Sequence, residues 1–130
     1  MKRKSIRTRA NGIVALSNLK KPLITLLYDV TPEGISFLCA EPAEMTDSTF
    51  IMDILIFDSN TDFEYCITQV KGRLRFRRRV SIPNGTILLW RCGVELIELN
   101  DFQKRLLHKG YRLMHQQCQT SWQAFPYTVA

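Results

Sequence analysis

Apolar and polar residues alternate along most of this chain, and the alternation breaks every ten or so residues at a cluster of turn formers. A period of two is the mark of an extended strand, whose successive side chains point to opposite faces. Residues 12–18 are a weak candidate. Pro22 to Asp29 is a second, rich in Leu, Ile and Thr, and a Thr-Pro-Glu-Gly turn follows it at residues 31–34. Ile35 to Ala40 and Thr49 to Phe57 come next, the latter ended by the polar turn at Asp58 to Thr61. Phe63 to Ile82 is long and alternating, with Gly72 inside it as a bend or bulge. Pro83-Asn84-Gly85 reads as a hairpin turn and Thr86 to Leu99 as its return strand. Many short strands with regular turns predict an antiparallel barrel or sandwich.

The period then changes. Phe102, Leu106, Leu113 and Met114 recur at helical spacing, after Asn100 or Asp101 as a cap. Their apolar stripe is expected to lie on the sheet or plug its open end. Gly110 weakens that helix by about 1 kcal/mol relative to Ala. The pattern divides the chain into a polar arm (1–11), a strand-rich domain with its closing helix (12–117) and a tail (118–130) carrying Trp122, Phe125 and Tyr127.

With 130 residues, 45% of them hydrophobic, the chain can bury a core without disulfides. No apolar run is long enough to cross a bilayer, so membrane insertion is not expected. No signal-type apolar region follows Met1, so a cytoplasmic location is. The four cysteines, Cys39, Cys66, Cys92 and Cys118, show no C-x-x-C spacing, and the three in strands are expected to act as small hydrophobes. His108 and His115 have no ligand partner nearby in sequence and read as surface or packing residues. No nucleophile–base arrangement can be assembled around them, so catalysis is not expected.

The net charge of +6 is segregated. Five basic residues lie in the first nine positions, six lie between Lys71 and Arg79, and Glu41 to Glu64 holds seven acids and no base. Such a surface favours an anionic partner. Lys71, Arg73, Arg75, Arg77 and Arg79 all occupy odd positions, so strict alternation puts them on one face, opposite Val70, Leu74, Phe76, Val80 and Ile82. A three-residue loop at Pro83-Asn84-Gly85 sets Arg73 opposite Glu95 and Arg77 opposite Arg91. It leaves Arg75, Arg77, Arg79 and Arg91 without carboxylate neighbours. With Phe76 on the opposite face no aromatic interleaves the cations, so nucleic acid is not expected as a partner.

Two short motifs carry the functional reading. Arg3-Lys4-Ser5-Ile6-Arg7 is an R-x-x-x-R, and 22 residues after Arg7 begins Asp29-Val30-Thr31-Pro32-Glu33-Gly34, a D-x-T-x-x-G. Taken alone, the second is also an Asx-type turn between strands. In this order and spacing the pair resembles the two signatures of the PilZ domain family, R-x-x-x-R in an N-terminal arm and [DN]-x-S-x-x-G between the second and third strands. Trp90-Arg91-Cys92-Gly93-Val94-Glu95-Leu96 is similar to the family's late strand, and Leu99 to Met114 to its closing helix. Thr31 stands where the family usually has Ser.

The resemblance implies a mostly β protein, a six-stranded antiparallel barrel with one C-terminal helix. It also implies a ligand, cyclic di-GMP, bound by Lys2, Arg3, Arg7, Asp29, Thr31 and Gly34. A guanidinium fork suits phosphate and the guanine O6/N7 edge. A carboxylate at Asp29 accepts from guanine N1–H and the exocyclic amine. Thr31 adds a hydroxyl, and Gly34 permits close backbone approach or a positive φ. The implied role is a receptor or adaptor whose arm changes conformation on binding and signals to a protein partner. The alternative is a ligand-free interaction module of the same fold. As part of a turn, Asp29 is expected to add up to about 1 kcal/mol to the free fold.

Overall fold

A computed structural model of the chain describes residues 8–17, 22–40, 49–58, 62–80, 85 and 89–121, without the side chains of 117–121. The strands are β1 (Thr8–Arg9), β2 (Gly12–Leu16), β3 (Leu23–Val30), β4 (Gly34–Cys39), β5 (Thr49–Phe57), β6 (Glu64–Val80) and β7 (Leu89–Ile97), and one helix, α1 (Asp101–Ser121), follows. All pairings are antiparallel, in the order β1-β3-β2-β5-β6-β7-β4. A further β3–β4 pairing closes six of the strands into a barrel, with β1 added along β3. Thr8 and Arg9, part of the polar arm in the sequence reading, thus belong to the sheet. No described helix is long and apolar enough to cross a membrane.

Alternation produces the core as expected. In β5, Phe50, Met52, Ile54 and Ile56 all point inward and are fully buried. They meet Val14 and Leu16 of β2, Phe37 of β4 and Ile67 of β6. Gly72 marks no bulge. It pairs regularly with Phe50 and Leu96 and faces inward, where a Cβ would meet Val94 and Met52 at 2.3 and 2.5 Å. Packing, not a bend, demands glycine there.

β6 does carry two irregularities, on either side of Gly72. The first falls at Thr68–Gln69, where the β5 register slips between Met52 and Ile54 and Gln69 takes φ 56°. The Gln69 N–H turns to Asp53 Oδ1 (3.0 Å). The helix binds the same spot, since Gln103 Nε2 donates to the carbonyls of Thr68 (2.8 Å) and Gln69 (3.1 Å). Gln103 also closes a capping box with Asn100, whose Oδ1 accepts from Gln103 N (2.7 Å) and whose N–H donates to Gln103 Oε1 (3.0 Å).

The second irregularity is a bulge at Arg75. Arg73 faces Glu95 and Leu74 faces Val94, as expected, but next to the hairpin the register is not that of a three-residue loop, since Arg77 and Arg79 face Cys92 and Trp90. Beyond the bulge the register moves by one, and Arg78 rather than Arg77 faces Arg91. Paired residues of an antiparallel ladder share a face, so the faces exchange. Phe76 and Arg78 join Gly93 and Arg91 on the outer surface, while Arg77 and Arg79 lie over Cys92 and Trp90. The expected single stripe of five cations therefore ends at Arg75, and Phe76 does interleave with arginines.

α1 covers the barrel with Gln103, Leu107, Gly110 and Met114. The expected stripe was offset. Phe102 is 61% exposed, and Leu106 and Leu113 are half-buried. At Gly110 the helix approaches so closely that a Cβ would lie 2.7 Å from Ile56 Cδ1. Among the strand cysteines, Cys39 and Cys92 are buried with sulfurs 4.0 Å apart, whereas Cys66 is exposed, against expectation. The hydrogen bond with Cys39, together with burial, pushes the Cys92 thiol far above its ordinary range, so it stays protonated and unreactive.

Two measurements check this packing. Leu107→Ala is expected to cost about 2–5 kcal/mol in urea unfolding, and Phe102→Ala less than about 0.5 kcal/mol. Equal losses would show that the helix is set on the barrel by another face. In the folded protein a maleimide is expected to label Cys66 and to spare Cys39 and Cys92 until denaturant is added, read by mass spectrometry of the peptides. Labelling of Cys92 at the rate of Cys66 would contradict its burial.

Candidate functional site

The candidate residues Lys2, Arg3 and Arg7 lie outside the described residues. Asp29, Thr31 and Gly34 fall at the end of β3, in the turn and at the start of β4, and each has a distinct local role.

Thr31 ties the turn. Its Oγ1 accepts from the N–H groups of Glu33 (3.2 Å) and Gly34 (3.0 Å), and its own N–H donates to the Gly34 carbonyl (2.8 Å). The hydroxyl therefore makes the turn that the sequence reading assigned to Asp29 as an Asx type. Gly34 has no positive φ; it is needed for the close approach of β7, because a Cβ would lie 2.7 Å from the Val94 carbonyl oxygen.

Asp29 is thereby released from the turn, and its carboxylate reaches across strands. Oδ1 accepts from Ser36 Oγ (2.5 Å) and Oδ2 from Arg91 Nη2 (2.6 Å). Arg91 Nε donates in turn to Ser36 Oγ (3.3 Å), so the three side chains close a ring of hydrogen bonds. The Asp29 side chain is only 9% exposed and that of Arg91 19%. A carboxylate so enclosed must be paired, and no described buried side-chain nitrogen or oxygen is left without a partner.

Register explains why these residues meet. Phe76, Gly93, Ser36, Asp29 and Arg9 are successive partners across β6, β7, β4, β3 and β1. This row faces outward, because the neighbours Cys92 and Val94 of Gly93 are in the core. The β3–β4 register shifts between Leu27 and Asp29, leaving Tyr28 unpaired in that ladder. Guanidiniums and rings then alternate along the surface. The Arg9 guanidinium carbon lies 3.9 Å from the Tyr28 ring centre, Arg91 lies 4.5 Å from Tyr28 and 5.7 Å from Phe76, and Arg78 lies 4.8 Å from Phe76. Arg9 Nε also donates to the Tyr28 carbonyl (2.9 Å).

Farther along β6, Lys71 pairs with Glu98 (3.4 Å), and Arg73 and Arg75 share Glu95 (3.5 and 3.1 Å). Arg75 and Arg91, expected to lack carboxylates, both have one. The Lys71, Arg73 and Arg75 pairs are well solvated and contribute little. Among the described residues no cluster of His, Cys, Asp or Glu could hold a metal ion.

No family model and no curated protein sequence matches the chain. Solved structures do. The PilZ domain of YcgR from Escherichia coli, described with c-di-GMP, superposes with a TM-score of 0.67 at 18% identity, covering 98% of this chain and 100% of that one. The chain has the PilZ-domain fold. MrkH of K. pneumonia in its apo state (TM-score 0.70, 10% identity) and the Bacillus subtilis inhibitor of motility MotI (0.61, 19% identity) share it over 92% and 90% of this chain. This chain spans about half of each of those two proteins, 52% and 53%. Ser36, Arg91, Tyr28 and Phe76 were not singled out for the site from the sequence. Their PilZ-fold positions bring them to Asp29 through two register shifts that alternation alone does not reveal.

The enclosure of Asp29 changes what its removal should do. Asp29→Ala leaves Arg91 without its anion, and a hydrogen bond to a charged group is worth about 1.5–3 kcal/mol. A loss in that range is expected in urea unfolding of the free protein, above the 1 kcal/mol of a turn residue. A loss under about 0.5 kcal/mol would show that the pair adds nothing to the fold.

Proposed function

We propose that this chain is a cyclic di-GMP receptor or adaptor that does no chemistry of its own. The observation that carries the reading is the seat of Asp29. The Asp29 carboxylate stands on the outer face among Arg9, Arg91 and Tyr28, at the strand into which the basic arm leads. Guanine N1–H and its 2-amino group suit a carboxylate, and two phosphates and flat bases suit guanidiniums and rings. The shared fold with a domain described with c-di-GMP supports the same reading.

In this proposal Lys2, Arg3 and Arg7 supply phosphate and base contacts from the arm, with Arg7 next in the chain to β1. Asp29 reads the guanine edge, while Thr31 and Gly34 hold its turn. Closing the arm changes the surface that a protein partner meets. β1 gives that change a route to α1, since a hydrogen bond joins Thr8 Oγ1 to His115 Nδ1 (3.1 Å) and His115 stacks on Tyr111. A second reading, a partner-binding module that works without ligand, is favoured by Ile24 and Leu26. They are 73% and 61% exposed on β3, beside the half-buried Ile13 and Leu38.

Calorimetric titration with cyclic di-GMP, with GTP as control, separates the two. The receptor reading expects saturable binding of the dinucleotide. It expects Arg7→Ala to weaken binding about thirtyfold or more with an unchanged melting temperature. Arg7→Lys should rescue poorly, because an ammonium lacks the planar fork. No binding at tens of micromolar would leave the ligand-free module in its place.

A further inference from the structure

Arg91 engages four side chains of the outer surface, and it belongs to neither motif. Its guanidinium is bonded to Asp29 and Ser36 and lies over the rings of Tyr28 and Phe76. A side chain so engaged cannot swing toward a ligand freely. It can, however, fix its neighbour.

We propose that Arg91 is a positioning residue for base recognition: with Ser36 it holds the Asp29 carboxylate aimed, and so sets selectivity for guanine over adenine. The proposal rests on the cyclic di-GMP reading above. Each carboxylate oxygen has two lone pairs. Oδ1 gives one to Ser36 and Oδ2 one to Arg91, which leaves one on each oxygen for a pair of donors side by side. Guanine presents such a pair, N1–H and the 2-amino group. Adenine presents a bare N1 acceptor, which an anionic oxygen repels. Discrimination therefore depends on the plane of the carboxylate being fixed. Arg91 and the closed ring through Ser36 fix it. Lysine would keep the charge and lose the second bond and the stacking.

The test compares cyclic di-GMP with cyclic di-AMP by competition on the full chain, in the parent and in Arg91→Lys, Arg91→Met, Ser36→Ala, Asp29→Asn and the Arg91→Met/Asp29→Asn pair. Thermal melts establish folding, and Ser36→Ala serves as the milder variant should Arg91→Met unfold. Both Arg91 variants are expected to bind cyclic di-GMP about tenfold or more weakly, while cyclic di-AMP changes by less than about twofold, so that selectivity collapses. Ser36→Ala should fall in between. On the Asp29→Asn background the loss of Arg91 should add nothing, because its effect runs through the carboxylate. Equal losses for both dinucleotides would overturn the proposal and make Arg91 a phosphate contact. Additive losses in the double variant, or unaltered selectivity in Ser36→Ala and Arg91→Lys, would overturn it as well. A parent that binds neither dinucleotide overturns the receptor reading itself, and this proposal with it.

Discussion

A seventeen-residue strand in a small closed barrel cannot keep strict alternation from end to end. β6 has to pair with β5 along its first part and with β7 along its second. Each bulge adds one residue to one strand of a ladder, bends it and re-aims the side chains that follow. The two bulges of β6 divide it into three stretches, the first ending at the carbonyls that the helix binds and the last running out beside the site. The bulge at Thr68–Gln69 offers the carbonyls that anchor Gln103, and hence the start of α1. The bulge at Arg75 turns Phe76 outward over Gly93, where any Cβ would collide with the ring. Helix docking and the aromatic wall of the site both follow from breaks in one strand.

The same logic decides what was legible in the sequence. The strands, the late helix and the barrel follow from period-two and helical patterns, but the counted hairpin register fails beside the hairpin, and Arg73 meets Glu95 only because the bulge at Arg75 shifts the pairing back. Counting failed past Arg75 because a bulge leaves no mark in hydrophobicity: arginines occupy both faces there. The buried face of α1 was legible only in part, at Met114, Leu106 and Leu113, for a related reason. It runs through Gln103 and Gly110, neither of which scores as apolar, while Phe102 does and is solvated. A polar residue that bonds to bulge carbonyls and a glycine that admits the barrel wall are tertiary choices, invisible without the partner.

At the site, the sequence named the turn but not its neighbours. Thr31 could be picked from its motif, but its hydroxyl serves the turn and frees Asp29 for the cross-strand ring. Ser36 and Arg91 are 55 residues apart and touch only because β4 and β7 are adjacent. The electrostatic design is economical: one carboxylate organises a hydroxyl and a guanidinium. The surplus positive charge is spread over rings, which attract cations without neutralising them.

β3 is bordered along one edge by two different strands. β2 covers Leu23 to Leu26, and β1 covers Asp29 and Val30. Among the described residues, the two-residue strand β1 pairs with β3 alone, with Ala10 N–H on the Tyr28 carbonyl and Thr8 linked to His115. Local opening free energies track such pairing, from near zero at fraying segments to the global value in the core. Slow amide protons will therefore belong to β5 and β6, and β1 will exchange through a separate, cheaper opening. Stability is thus unevenly shared, lowest at one edge of the sheet and highest around the buried side chains of β5.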